Sequence, residues 1–190
     1  MTQTDEVIND QIESGHSHTQ DRLIGLAPVI DEHTRVLIIG SFPSAISLTR
    51  NEYYANPRND FWRIMSMILN MPSDLTYESR IRYLLEMHVG LWDVITSCTR
   101  PGSMDTAIRN PIASDIGSLL FRYPRITTII TNGRKAESEL KKTFTSISEN
   151  EHHLNIRKIY LPSTSPAHAI RLTDKAVAWT ILRTIAEQAD

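Results

Sequence analysis

A short, uninterrupted apolar run, VLIIG, occupies Val36–Gly40 and is followed at once by Ser-Phe-Pro. A run of this length, rich in β-branched residues and bounded by Gly and Pro, is typical of a strand buried on both faces. Such strands belong mainly to parallel sheets, because antiparallel strands with one solvated face alternate apolar and polar residues. The run therefore predicts a parallel sheet, with its ligand site expected at the carboxyl end of this strand.

Strand-like and helix-like segments alternate along the rest of the chain. Further strands are predicted at residues 89–95, 126–131 and 158–161. Helices are predicted at residues 61–69, 73–86, 112–123, 134–144 and 167–189, with Asp60 as an N-cap and Pro166 near the first turn of the last helix. Residues 44–60 and 96–110 are predicted as long loops. The alternation predicts an α/β fold, a three-layer α/β/α sandwich around a central, mostly parallel four-stranded sheet. Right-handed crossovers would bring the loops after the first, third and fourth strands to one edge.

Length and charge indicate one domain with a tail. The chain has 190 residues and a net charge of −2. Residues 1–20 are polar and are predicted to be a disordered tail, and residues 21–190 a single domain. The acidic residues concentrate near the N-terminus, so the remainder is mildly basic, which permits a polyanionic partner without requiring one.

Cysteine usage and hydropathy restrict the compartment. Cys98 is the single cysteine, which excludes an internal disulfide and a zinc site built from several thiolates. No apolar run approaches the roughly 20 residues of a membrane helix, and the N-terminus lacks a signal-peptide pattern. We expect a cytoplasmic monomer with no membrane contact and no metal.

The turn that follows the first strand is the first candidate site. Residues 40–44, GSFPS, could present backbone N–H groups to an anion or a carbonyl, or form a purely structural turn. The chain contains neither a phosphate-binding GxxxxGK[ST] loop, nor a GxGxxG dinucleotide motif, nor a GxSxG nucleophile elbow.

Five segments, each weak alone, occur in a recognisable order. They are GSFPS at 40–44, YYANPRNDFW at 53–62, the segment from LWDV to RPGSMDTAI at 91–108, NGRKA at 132–136 and LPSTSPA at 161–167. Together they resemble the hypoxanthine-DNA glycosylase branch of the uracil-DNA glycosylase superfamily, and the resemblance spans about residues 23–187. It implies that a deaminated base, hypoxanthine first and uracil second, is flipped out of DNA and its N-glycosidic bond hydrolysed. It implies a reaction without a metal or a Schiff base. We expect no cofactor and a bacterial or archaeal cytoplasm.

The resemblance also locates the catalytic candidates. The superfamily's water-holding Asp or Asn falls on Phe42, and the His or Asn that opens its second motif falls on Leu161. In hypoxanthine-type members an asparagine of the PRN segment takes over, which implies Asn59 here. Asp93, in LWDV, is a second candidate, either as a pocket carboxylate or as a strand-end cap.

The remaining candidates line a base pocket or contact DNA. Phe42 is either a stacking platform or a buried turn aromatic, and Asn132 either reads the base or makes a turn. The pocket set is Gly40, Ser41, Phe42, Pro43, Ser44, Tyr54 and Asn132. The DNA-binding set is Arg58, Arg100, Ser163, Thr164, Ser165, His168 and Arg171, although each arginine could equally be a solvated surface residue.

Two other functions are compatible with the same residues. Loss of polar residues at both superfamily positions would suit a catalytically silent DNA-binding homologue, which would bind DNA with a salt-dependent affinity. A hydrolase of free nucleosides or nucleotides could use the same sheet.

Overall fold

Strands and helices alternate along most of the chain in the computed structural model, which describes residues 22–147 and 155–187. In chain order the elements are β1 (Leu23–Ile24), β2 (Val36–Gly40), α1 (Ala45–Arg50), α2 (Phe61–Leu69), α3 (Tyr77–Glu86), β3 (Val89–Asp93), β4 (Ile95–Thr99), a 3-10 turn (Asp105–Ala107), β5 (Arg109–Ala113), α4 (Ile116–Arg122), β6 (Thr128–Asn132), α5 (Arg134–Ile147), β7 (Arg157–Leu161) and α6 (Leu172–Glu187). The predicted tail at residues 1–20 lies outside the described residues.

The central sheet has the strand order β3-β2-β6-β7, and every neighbouring pair is parallel. All five residues of β2 are buried. Val36 and Ile38 point into the core on one face of the sheet, while Leu37 and Ile39 point into the core on the other. The prediction of a doubly buried parallel strand is confirmed, and the sheet is wholly rather than mostly parallel.

Helices cover both faces of this sheet. On one face α2, α3 and α6 pack through buried side chains that include Phe61, Leu84 and Trp179. On the other face α4 and α5 pack through side chains that include Ile116 and Leu140. The predicted three-layer α/β/α sandwich is therefore confirmed. None of the helices within the described ranges is long and apolar enough to cross a membrane.

Helix α2 has the predicted bounds but not the predicted cap. Asp60 occupies the N-cap position without a capping hydrogen bond from its side chain. The Phe61 N–H donates instead to Oδ1 of Asn59, at 3.0 Å. Nζ of the buried Lys175 donates to Oδ2 of Asp60, at 2.8 Å. The cap is thus supplied one residue earlier, which leaves Asp60 for an ion pair.

A second, antiparallel sheet, β1-β4-β5, is absent from the sequence prediction. The predicted strand 89–95 ends at Asp93, and β4 lies mostly in the predicted loop 96–110. The predicted helix 112–123 begins only at Ile116, because Ile112 belongs to β5 and Asp115 caps the helix by accepting from the Ser118 N–H. All of β5 is exposed and it contains a proline, so its sequence lacks the alternation that marks a strand.

Three helix boundaries also differ from the prediction. Helix α6 begins at Leu172 rather than 167, so Pro166 lies outside it, and its predicted end at 189 is outside the described residues. Helix α3 begins at Tyr77 rather than 73, because Thr76 caps it. The predicted loop 44–60 contains the short helix α1. The predicted helix at 134–144 extends to Ile147.

Candidate active site

A cavity of about 630 Å³ lies at the carboxyl ends of the parallel strands. Its lining comes from the turn after β2, the loop before α2, the end of β3, the end of β6 and the loop after β7. The loops after β2, β6 and β7 therefore meet at one edge of the sheet, as the topology predicts. Most of the predicted site residues contribute to the lining: Gly40, Ser41, Phe42, Pro43, Ser44, Tyr54, Arg58, Asn59, Asp93, Asn132, Ser163, Thr164, Ser165 and His168.

Asp93 places a buried carboxyl in this lining. Its side chain lies against Gly40, its partner on the adjacent strand, and a Cβ at Gly40 would collide with Oδ1. Glycine is therefore required by close approach. Asp93 is 6% exposed, and its Oδ2 has no hydrogen-bond partner among the described residues. Burial, reinforced by the negative charge of Asp105 and opposed by Arg100, raises the pKa of the Asp93 carboxyl to about 7.

Asn59 contributes an amide whose oxygen, but not its nitrogen, is hydrogen-bonded within the described residues. Its Oδ1 accepts the first N–H of α2, whereas its Nδ2 has no partner among the described residues. One oxygen lone pair and both N–H bonds are thus available to a ligand. Asn59 and Asp93 line the same cavity.

Asn132 joins the strand ends rather than facing a ligand freely. Its Nδ2 donates to Oγ1 of Thr164 at 2.9 Å and to the Tyr54 hydroxyl at 3.2 Å, and its Oδ1 accepts the Thr164 N–H at 2.9 Å. The Thr164 carbonyl in turn accepts the Asp60 N–H at 3.0 Å. Both donors of Asn132 are therefore used, which removes it as a donor to a base. Thr164 is fully buried, its N–H donates to Asn132 and its hydroxyl oxygen accepts from Asn132, so its predicted contact with DNA stays a prediction.

Tyr54 is one of the aromatic residues that line the cavity. Tyr54 stacks on Phe61, with ring centroids 3.8 Å apart and an interplanar angle of 15°. Tyr54 has φ of 56°, a left-handed conformation that is rare for a bulky residue. The stacking and the hydrogen bond from Asn132 hold this conformation in place. Burial raises the pKa of Tyr54, so its hydroxyl stays neutral.

Phe42 and Arg100 form a pair beneath the turn after β2. The Arg100 guanidinium carbon lies 4.9 Å from the ring centroid of Phe42, and its Nη2 donates to the Pro43 carbonyl. Phe42 is 7% and Arg100 5% exposed. Arg100 was predicted to contact DNA, and its guanidinium is instead covered by the protein in this structure, so that contact stays a prediction. Burial lowers the pKa of Arg100.

The segment that leads from β4 into β5 was predicted only as a loop within a motif, and it closes one side of the cavity. The Ser41 hydroxyl donates to Oδ1 of Asp105 at 2.7 Å, and the Ala45 N–H donates to Oγ of Ser103 at 3.0 Å. Between these two anchors, Met104 is 65% exposed and lines the cavity. Sequence reasoning missed Ser103, Met104 and Asp105 as site residues. Their place in the RPGSMDTAI motif is the one feature that could have indicated them.

Polar and basic groups surround the mouth of the cavity. Arg58 is exposed there, together with the half-buried Ser163, Ser165 and His168. Arg134, at the start of α5, is a further exposed cation of the lining that the sequence analysis missed. Arg171 lies outside the lining, and its guanidinium pairs with Asp174 at 3.0 Å.

The remaining chemical candidates are the single cysteine and possible metal ligands. Cys98 is buried in the core, and burial raises the pKa of its thiol. Within residues 22–147 and 155–187, no three His, Cys, Asp or Glu side chains are grouped so that they could hold a metal ion.

Comparison with known proteins assigns the family. The model of the uracil DNA glycosylase superfamily matches residues 27–187. A hypoxanthine DNA glycosylase from Methanosarcina acetivorans is 39% identical over 113 residues, covering 59% of this chain and 72% of the relative. A protein of the same description from Methanosarcina barkeri is 35% identical over 113 residues, with the same coverage.

A solved structure agrees with this assignment. The solution NMR structure of a candidate uracil DNA glycosylase from Methanosarcina acetivorans matches with a TM-score of 0.69 and 31% identity. The match covers 86% of this chain and 99% of the other. The chain therefore belongs to the uracil DNA glycosylase superfamily and is a DNA glycosylase, as the five ordered motifs predict.

Proposed function

We propose that this DNA glycosylase removes hypoxanthine from DNA, with uracil as a secondary substrate, and so starts base excision repair. The observation that carries the proposal is the convergence of Asn59 and Asp93 on one cavity, lined in part by aromatic residues, at the carboxyl end of the sheet. The two relatives described as hypoxanthine DNA glycosylases support the choice of base. Its family supports DNA as the substrate. We further propose that the enzyme acts in the cytoplasm of a bacterium or archaeon, as a monomer.

The proposed reaction is a monofunctional hydrolysis. The base rotates out of the duplex into the cavity, where its edges and faces become accessible. The bond between C1′ and the base nitrogen breaks, and both electrons leave with the base. Water adds through its oxygen to C1′ and loses one proton, while the base takes up one proton. Donors fixed toward the departing base lower the barrier, because negative charge develops there.

Asn59 is proposed as one of these donors. Its Nδ2 is free to donate to the base, while the lone pair of Oδ1 not used by α2 can orient the attacking water. An amide is not a general base, so its contribution is positioning and charge stabilisation. The helix cap fixes the amide plane before substrate arrives.

Phe42 is proposed as the surface on which the base stacks. Arg100 covers one face of the ring, so the base would use the part of Phe42 that lines the cavity. Aromatic stacking tolerates many bases, which leaves the choice of base to polar groups.

The DNA backbone is proposed to contact the polar mouth of the cavity. Arg58, Arg134 and His168 supply positive or protonatable groups, and the hydroxyls of Ser163 and Ser165 supply donors. Met104, apolar and exposed between two anchored residues, is proposed to enter the space that the base vacates, as apolar wedges do in other DNA-distorting proteins.

An oligonucleotide panel tests the proposal. Single- and double-stranded DNA carrying hypoxanthine, uracil, xanthine or mismatched thymine is incubated with the enzyme and scored for abasic sites, with free inosine as a parallel substrate. We expect hypoxanthine to be released fastest and free inosine to be untouched. Turnover of free inosine without abasic sites in DNA would contradict the proposal, and so would salt-dependent DNA binding without release of any base.

A further inference from the structure

The unsatisfied carboxyl of Asp93 is the starting point. Asp93 is almost fully buried, lines the cavity, and has one oxygen, Oδ2, without a hydrogen-bond partner among the described residues. Buried polar atoms are nearly always hydrogen-bonded, so an unpaired one calls for an explanation. A ligand in the cavity would supply the missing partner.

The carboxyl of Asp93 forms no ion pair with the described residues around it. Among the described residues no cation lies within ion-pair distance of its carboxyl, and the nearby Arg100 stacks on Phe42 and bonds to the Pro43 carbonyl. Asp105 adds a second negative charge, while the hydroxyls of Tyr53 and Tyr54 stay neutral because burial raises their pKa. Burial and Asp105 together outweigh Arg100, so the pKa of Asp93 is about 7.

We propose that Asp93 acts as a neutral carboxylic acid that reads the flipped base, its O–H donating to the exocyclic carbonyl oxygen and its C=O accepting the adjacent ring N–H. This inference rests on the proposed function and specifies its substrate class. A neutral carboxyl offers one donor and one acceptor side by side. Hypoxanthine offers the complement, O6 as acceptor and N1–H as donor. An ionised carboxylate would offer acceptors only and would repel O6.

The same contact would favour the transition state over the bound base. As the glycosidic bond breaks, negative charge spreads over the leaving base and reaches its carbonyl oxygen. The Asp93 O–H bond to that oxygen strengthens with the charge, which lowers the barrier without any proton transfer. Adenine carries an amino group at that position and cannot gain this stabilisation. The contact therefore favours bases with a carbonyl beside a ring N–H, such as hypoxanthine, xanthine and uracil, over adenine and cytosine. Guanine and thymine share this edge, so their exclusion must come from other groups of the cavity.

Two substitutions separate this role from a charged one. Asp93→Asn keeps a donor and an acceptor but cannot ionise, whereas Asp93→Leu removes both. With hypoxanthine in duplex DNA between pH 5.5 and 8.5, wild-type kcat/KM should fall as pH rises through about 7. We expect Asp93→Asn to stay within about threefold of wild type at pH 6 and to lose this decline. Asp93→Leu should be about 10²- to 10³-fold slower at pH 6. Asp74→Asn, at an exposed position outside the cavity lining, should follow the wild-type profile.

The outcomes distinguish the inference from the function on which it rests. Wild-type activity that rises through pH 7, or an Asp93→Asn variant as slow as Asp93→Leu, overturns the role of Asp93 and leaves the glycosylase proposal standing. A wild-type enzyme that releases no hypoxanthine overturns the proposed function and the inference together. Carbon-13 NMR of the Asp93 carboxyl in the free protein gives a readout independent of activity. A titration midpoint near the ordinary aspartate value of about 3.9 contradicts the inference.

Discussion

Asn59 uses its two amide atoms for different purposes. Its oxygen caps α2, and its nitrogen has no partner among the described residues. Asn59→Asp should preserve the cap, because a carboxylate also accepts an N–H at a helix N-terminus. It should nevertheless lower hypoxanthine release by about 10²-fold or more, because it removes the N–H groups that we propose donate to the base. Single-turnover release at saturating enzyme measures this effect.

Asn59→Ala serves as the comparison, since it removes the cap and the donor together. It should cost about 1 kcal/mol of unfolding free energy in addition to the activity. An Asn59→Asp variant as active as wild type would show that the oxygen, rather than the nitrogen, carries the role.

The sequence identifies the site residues better than it identifies their states. Asn59 and Asp93 can be found from motif and strand end, and both line the cavity. Their hydrogen bonds and their burial cannot be predicted, because these depend on which side chain caps the first N–H of α2 and on how deeply β3 is buried. The burial of Arg100 and Thr164 is likewise produced by tertiary contacts that charge and hydroxyl content do not reveal.

At the scale of elements, the loop after β7 is tied to the end of β6 by Asn132 and Thr164. Thr164→Val keeps the shape of the side chain but leaves one Asn132 donor without its acceptor. We expect a loss of about 1–3 kcal/mol in unfolding free energy, the usual penalty for a buried unsatisfied donor. Urea unfolding measures it. Thr127→Val, at an exposed position whose side chain has no hydrogen bond to any residue that the structure describes, should change stability by less than about 0.5 kcal/mol. Equal effects of the two substitutions would show that the tie contributes nothing.

The segment between β4 and β5 holds Met104 between two anchors. If Met104 fills the space left by the base, its contacts offset part of the few kcal/mol that unstacking the base costs. Met104→Ala should lose part of this compensation and slow release from duplex DNA by roughly tenfold. Release from single-stranded DNA should be unchanged, because no partner strand must be held open. Met67→Ala, at a similarly exposed methionine on α2, should affect neither substrate. An equal loss on both substrates would assign Met104 to packing.

Element prediction succeeds where local pattern decides the structure and fails where pairing decides it. Strand β2 is a continuous apolar run and helix α2 repeats apolar residues at helical spacing, and both have the predicted position. Strand β5 contains Pro111 and is wholly exposed, so it is a strand only because β4 pairs with it. Residues 167–171 resemble the start of a helix. They form turns instead, one of them closed by the hydrogen bond from the His168 N–H to the Ser165 carbonyl, and α6 begins only at Leu172.

At the scale of the whole molecule, Lys175 links two of the site loops through a buried side chain at the start of α6. From α6 its Nζ reaches Oδ2 of Asp60, at 2.8 Å, and the Ser165 carbonyl, at 3.3 Å. A parallel sheet brings these loops to one edge, but their relative positions within a few tenths of an ångström depend on such crossing contacts. The buried lysine has no local sequence signature, because its partner lies 115 positions away.

Burial of the Asp93 carboxyl makes the stability of the folded molecule depend on pH. In the unfolded chain Asp93 loses its proton near 3.8, whereas in the folded protein its pKa is about 7. Between these values the folded state binds more protons, so the free energy of unfolding falls as pH rises through this window. Three pKa units correspond to roughly 4 kcal/mol for this buried group, which is 6% exposed.

Asp93→Asn should therefore be more stable than wild type at pH 8 by an amount on this order, and the difference should shrink steadily toward pH 4. Urea unfolding of both proteins at each pH unit measures the difference, and groups common to both cancel. Asp74→Asn, whose carboxyl is exposed, is the matched control and should differ little from wild type in stability. A gap between Asp93→Asn and wild type that is the same at pH 4 and pH 8 would mean that folding leaves the affinity of Asp93 for its proton unchanged, and the neutral acid would then have no physical basis.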